Sequence, residues 1–220
     1  MIVVVGGVKG GVGKTTVAIN LAVMRQAAGR KVVIVDADEQ RSAYEFCEQR
    51  KALGNGDLPC VVASGRDTLG VVRSFANEHD DIIIDVGGRD TTAQRAALLT
   101  ADLAVIPFGV GNFDAWTLPQ VERLVSEVRA ANQSLDAVTF LSRGVHNGND
   151  NREAADILRA STVLRYLDTP IIERRIYVRS AGDGMSVIEA SGVRDYKARG
   201  ELRSLYNAIY ATAATATTAA

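Results

Sequence analysis

With 220 residues and 47% hydrophobic side chains, the chain can bury one substantial core, and nothing in its length calls for a second domain. Its 25 basic and 26 acidic residues nearly cancel, which excludes a protein that coats nucleic acid through its overall field; a polyanion must meet a local basic patch. Cys47 and Cys60 stand in no CxxC pair and beside no histidine cluster, which argues against zinc, an iron–sulfur cluster or a disulfide framework and points to a reducing cytoplasm.

The first apolar run, Ile2–Val5, is cut at Gly6-Gly7, far short of a signal-peptide core or a membrane span. A helical pattern follows over Lys14–Ala28, then a β-branched run at Val32–Val35 and a helical pattern over Ser42–Leu53, with Gly29 and Gly54 as the stops of these two helices. The chain continues with a helix over Thr68–Glu78, a strand over Ile82–Ile84, a helix over Thr91–Thr100 and a strand over Leu103–Ile106. A helix over Asp114–Ala131, a strand over Ala137–Leu141, a long helix over Asp150–Leu167 and a last helix over Tyr196–Tyr210 complete the pattern. Strands apolar on both faces that alternate with helices predict an α/β fold: a doubly wound, mostly parallel sheet flanked by helices, with ligands at the carboxyl ends of the strands. Residues 1–210 read as one domain. Ala211 to Ala220 contain only Ala and Thr, a frayed, disordered end with no basic amphipathic face for a membrane.

Directly after the first strand stands Gly6-Gly7-Val8-Lys9-Gly10-Gly11-Val12-Gly13-Lys14-Thr15-Thr16, opening onto a helix, the setting a phosphate-binding loop requires. Glycines at 10, 11 and 13 let backbone amides approach phosphate oxygens, and the helix N-terminus adds positive potential. Lys14 reaches the β- and γ-phosphates in this reading, and the Thr15 hydroxyl ligates magnesium. The usual pattern has glycine five residues before Gly13, where this chain has Val8, and Lys9 is additional.

The second strand runs out in Asp36-Ala37-Asp38-Glu39-Gln40, two carboxylates at alternate positions where a switch loop should begin, although Asp36 also suits a helix cap. Asp81-Ile82-Ile83-Ile84-Asp85 has the Walker-B form, buried aliphatics ending in an aspartate that accepts from a magnesium-bound water. Arg89 reads as a surface arginine or a contact with a second chain. Phe108 and Arg143 end two further strands at the same sheet edge, toward a base pocket.

The run Lys9 to Thr16 resembles the deviant Walker-A signature of the ParA/MinD superfamily, in which the extra lysine crosses a dimer interface to the partner's nucleotide. The likeness spans nearly the whole chain, including Glu173–Ser180 and Gly182–Glu189, and is nearest to small plasmid-partition ParA proteins without an N-terminal helix-turn-helix. It implies an ATPase with ATP and Mg2+ as cofactors, with Lys9, Lys14 and Asp38 catalytic. Gly10, Gly11, Val12, Gly13, Lys14, Thr15 and Thr16 would cradle the phosphates, Arg143 and Pro170 frame the adenine, and Thr15, Asp36 and Asp85 form the metal shell. Glu39 stands where the family usually has proline, and Val86-Gly87-Gly88 lacks another. The resemblance further implies an ATP-dependent homodimer that positions DNA or other cargo in the cytoplasm, binding DNA nonspecifically at the nucleoid. A ParB-like or other cargo-adaptor protein would stimulate hydrolysis and reset it. Residues 173–203 hold seven basic residues against five acidic, a modest patch, so Arg174, Arg175, Arg179, Lys197, Arg199 and Arg203 are DNA candidates by analogy. A MinD-like regulator or a small-molecule kinase or synthetase with the same loop are the alternatives; the last would transfer phosphate to a small acceptor.

Overall fold

The computed structural model describes residues 1–88, 91–110, 116–146, 149–190 and 195–216. Seven strands form one sheet in the order β3-β2-β4-β1-β5-β6-β7, and every pairing is parallel. In chain order the first half is β1 (Ile2–Val5), α1 (Lys14–Ala27), β2 (Val32–Ala37), α2 (Ser42–Ala52), β3 (Cys60–Val62), α3 (Asp67–Phe75), β4 (Asp81–Val86) and α4 (Thr91–Leu98). The second half is β5 (Leu103–Phe108), α5 (Leu118–Arg129), β6 (Asp136–Leu141), α6 (Asp150–Arg159), β7 (Arg165–Tyr166), α7 (Arg175–Gly182) and α8 (Tyr196–Ala216).

The continuous aliphatic runs end up between two helical layers, as a parallel sheet demands. Alternation divides each strand: Val4, Ile82 and Ile84 pack with residues of α4 and α5, whereas Val3, Val5 and Ile83 pack with α1, α2 and α8. β2 and β4 are buried along their whole length. α7 lies on α8 through Ile176, Leu202 and Ala198, with Met24 of α1 beneath them. Both predicted glycine stops hold, and by the same device. Gly29 and Gly54 have φ of 79° and 75°, and the pairs Gly29 N to Gln26 O, Arg30 N to Arg25 O and Gly54 N to Lys51 O, Asn55 N to Arg50 O close two Schellman motifs.

The long helix expected over Asp150–Leu167 stops at Arg159. The Ser161 hydroxyl accepts from the amides of Val163 and Leu164, a side-chain turn that competes with the helix, and Arg165–Tyr166 then joins the sheet beside β6. β3, β7 and α7, only 3, 2 and 8 residues long, were not among the expected elements. The last helix runs to Ala216 rather than Tyr210, taking in part of the Ala/Thr tail. Asp114, where the fifth helix was expected to begin, and Arg89 lie outside the described residues, and α5 starts at Leu118. No helix among the described residues is long and apolar enough to cross a membrane.

Candidate functional site

β1, β2 and β4 are neighbours, and their register places Val5, Asp36 and Asp85 on one line at the carboxyl edge of the sheet. The loop from Gly6 to Gly13 therefore leaves the sheet beside β4, with β2 on the far side of β4, next to the two strands that carry these aspartates near their carboxyl ends. Gly13 caps α1 at φ 90°, no side chain caps that helix, and its first turn carries no acid. Its first amides are thus left to an anion, where the helix field is positive. The Lys14 ammonium is buried and donates to the Lys9 carbonyl at 2.7 Å, folded back on its own loop. Burial lowers its pKa, an effect opposed by the nearby Asp85 and Asp38 carboxylates.

Asp85 is fully buried, and neither of its oxygens has a hydrogen-bond partner of ordinary geometry. Burial pushes it up to about 7, with the neighbouring Thr15 hydroxyl and Lys14 pulling down and Asp36 pushing up. A buried, unpartnered carboxylate beside a threonine hydroxyl is the donor set of a small hard cation that takes one or two protein oxygens and completes its shell with phosphate and water. Among the described residues no cluster of three ligating side chains could hold a metal by itself, which agrees with a cation that arrives with a nucleotide. The residues present fit magnesium.

Asp36 is held by backbone amides. Its Oδ1 accepts from the Asp38 amide at 3.1 Å and its Oδ2 from the Tyr44 amide at 2.8 Å, so it braces the loop and caps α2, and burial raises its pKa against these bonds. Asp38 is only part-buried, with Oδ1 accepting from the Gln40 amide at 3.0 Å. A Cβ on Gly87 would lie 3.2 Å from the Asp38 carboxyl carbon, and one on Gly88 would lie 2.8 Å from the Lys9 carbonyl carbon and 2.9 Å from the Gly10 amide nitrogen. The loop after β4 thus touches both Asp38 and the phosphate loop through backbone that only glycine permits.

The phosphate loop, Asp38 and the loop after β4 line one cavity of about 810 Å³; Lys9, Asp36 and Asp85 are not on its wall. Gly10, Gly11, Gly13, Lys14, Thr15, Thr16, Asp38 and Arg143 all reach it; of the expected nucleotide contacts, Val12 and Pro170 do not, and Ile171 and Ile172 stand where Pro170 was expected. Phe108 is in the core rather than at the cavity. Arg143, itself at φ 54°, spans the mouth: its guanidinium donates to the Gly11 carbonyl and pairs with Glu173. The far wall was not legible in the sequence. It comes from Arg174, Tyr177 and Val178 of the α7 region and Leu202 of α8, and its only signal was the helical spacing of Ile176, Tyr177 and Ser180.

Of the basic residues proposed to meet DNA, Arg175, Arg179, Lys197 and Arg203 are exposed on α7 and α8. Arg174 is not: it lines the cavity and pairs with Glu201 at 2.6 Å, both about one-fifth exposed. Arg199 is half-buried, with its Nε shielded from solvent.

The family model for the CobQ/CobB/MinD/ParA nucleotide binding domain matches residues 2–187. The chain is 24% identical over 210 residues to the maintenance of carboxysome distribution protein A of Halothiobacillus neapolitanus, covering 93% of this chain and 94% of that one. It is 30% identical over 207 residues to the protein of the same name from Gloeobacter kilaueensis, covering 89% and 87%. A plasmid partition protein of Borrelia burgdorferi, solved with AMPPNP, superposes with a TM-score of 0.70 at 18% identity over 93% of this chain and 97% of that one. The loop, the strand-end aspartates and these likenesses agree, and the chain belongs to the CobQ/CobB/MinD/ParA nucleotide-binding family.

Proposed function

We propose that the chain is a positioning ATPase that dimerises on binding ATP, holds DNA nonspecifically in that state and is reset when a partner protein stimulates hydrolysis. The observation that carries the reading is the juxtaposition of an uncapped α1 N-terminus with Lys14 and Thr15 on the wall of one cavity, and of a buried, unpartnered Asp85 beside Thr15. Lys14 leaves the Lys9 carbonyl for the phosphates, so the charge that now stiffens the loop becomes the ligand contact. Thr15 and Asp85 would hold magnesium, which when bound would supply positive charge against the phosphate oxygens, and Asp36 keeps the Asp38 loop folded. Asp38 orients the attacking water. Lys9, supplied across the interface, ties hydrolysis to dimerisation as an arginine finger does.

Arg175, Arg179, Lys197 and Arg203 supply the DNA face, pooled from two chains. Both carboxysome-distribution relatives favour a subcellular body over a plasmid as the cargo, recognised through a ParB-like or other adaptor.

Sedimentation and DNA binding of the wild type and Lys9→Ala, each with ADP and with ATP, test the reading. ATP-only dimers that retain DNA and vanish in Lys9→Ala are expected. A monomer that ignores DNA with either nucleotide would overturn it and direct the search to a small phosphate acceptor. Asp38→Ala should bind ATP and fail to hydrolyse it, and Lys14→Ala should lose binding.

A further inference from the structure

We infer that Arg50 and Glu189 are positioning residues for hydrolysis: a clamp of a buried guanidinium and a half-buried carboxylate that sets α2, and with it the segment from Asp38 to Arg41, in register with the phosphate-loop helix. The inference rests on the proposed ATPase reading and concerns residues far from the nucleotide.

The clamp belongs to a continuous polar path through the apolar layer beside α1. Asn20, 2% exposed, donates from Nδ2 to the Thr16 carbonyl at 2.7 Å, in the turn that lines the cavity. Its Oδ1 accepts from the Ser186 hydroxyl at 2.6 Å and the Val187 amide at 2.9 Å. The Ser186 amide donates to Glu189 Oε2 at 2.8 Å, and both Glu189 oxygens receive the Arg50 guanidinium, at 2.8 and 2.7 Å. Arg50 also donates to the Gly184 carbonyl at 3.1 Å. The path joins three parts of the chain: α1, the segment after α7, then α2.

α2 is held both by apolar packing and by this path. The buried residues of α2 are Ala43, Phe46, Cys47 and Arg50, so one of its four anchors is a charge. Arg41, just before α2, is held at φ 53° and gives the helix no side-chain cap, and the Tyr44 amide of its first turn relies on Asp36. A guanidinium 4% exposed gains nothing in stability that a well-packed aliphatic chain could not match, but a bidentate pair admits a single register. The backbones already meet there: Gly184 is at φ 65°, and a Cβ on it would lie 2.9 Å from the Arg50 Cα. Sliding α2 by a fraction of a turn would break the pair, pull the Tyr44 amide off Asp36, which β2 holds in register with Asp85, and displace the residues from Asp38 to Arg41 that lead into α2.

The test compares wild type, Glu189→Gln, and the apolar double variant Arg50→Met/Glu189→Leu, all full-length. ATP affinity by equilibrium binding, ATP turnover, and amide hydrogen exchange over residues 38–44 are measured on each. We expect cooperative unfolding in all three, ATP affinity within about 3-fold of wild type, and turnover lowered roughly 10-fold in the double variant, the scale of loss from a displaced catalytic group. Exchange over residues 38–44 should accelerate, and Glu189→Gln, which keeps the shape and part of the bonding, should lie between. Wild-type turnover in a cooperatively folded double variant would overturn the clamp, as would a loss confined to ATP affinity. If the wild type itself binds no ATP, the ATPase reading fails instead; unchanged exchange over residues 38–44 in the double variant would then still refute the clamp.

Discussion

The Asp85 carboxylate is stored in the folded protein at a cost, because neither of its buried oxygens has a hydrogen-bond partner of ordinary geometry among the described residues. Since burial raises its pKa to about 7, the folded state holds a proton that the unfolded chain gives up near pH 4; this share of stability is present at low pH and is lost as pH rises through 7. Asp85→Asn should therefore raise the thermal midpoint of the nucleotide-free protein at pH 8, with the difference from wild type shrinking toward pH 4. It should at the same time abolish stabilisation by MgATP beyond that of ATP alone, as read by thermal melts. Gly88 makes the complementary prediction. The atoms that a Cβ would strike at 2.8 to 2.9 Å are Lys9 and Gly10 backbone, which cannot swing aside as a side chain could. Gly88→Ala should weaken ATP binding by at least about 10-fold, on the order of 1.4 kcal/mol, in a titration with a fluorescent analogue. Both residues were legible by type in the sequence, Asp85 as the end of an aliphatic run and Gly88 as part of Val86-Gly87-Gly88; that Gly88 faces Lys9 was not, because the two are 79 residues apart and meet only across β1 and β4.

Among the elements, α1 and α8 carry the anchoring load on one face of the sheet. At the amino edge, opposite the cavity, Arg25 near the end of α1 donates to the wholly buried Asp81 of β4 at 2.8 Å, bonds the Tyr206 hydroxyl at 3.3 Å and lies 4.2 Å from the centre of the Tyr210 ring. Arg25→Ala would leave Asp81 buried and without its main partner, although Met1 and Arg30 stand within 4 Å, and should cost about 3 kcal/mol in urea unfolding. Arg25→Lys should recover only part, since an ammonium cannot serve carboxylate, phenol and ring together. Element identity followed from periodicity wherever a run was long: β1, α1, α2 and β6 lie within a residue of their expected ends. The helix read through Leu167 failed because Thr162-Val163-Leu164 suits either period, and a free place beside β6, invisible in the local pattern, decided for a strand.

For the whole molecule, a net charge of −1 requires the proposed DNA binding to use the local face of α7 and α8. Alanine at Arg175, Arg179, Lys197 or Arg203 should each lower the salt slope of ATP-dependent DNA binding by about 1 for every phosphate that the replaced side chain neutralises, without sequence preference. Arg174→Ala should instead alter nucleotide binding, since its guanidinium lies on Glu201 at the cavity wall. The amino-acid sequence by itself determined the α/β alternation, the phosphate loop and the strand-end aspartates, because these are local signals: an apolar run, a glycine spacing, a carboxylate where a strand stops. Tertiary structure alone decided the roles that need distant segments brought together. It spent both oxygens of Asp36 on backbone amides, withdrew Arg174 from the basic face, built the far cavity wall from α7 and α8, and buried Arg50 against Glu189. Each is a pairing across 27 or more residues of chain or a claim on a lone pair, and neither leaves a mark in the local pattern until the sheet order is known.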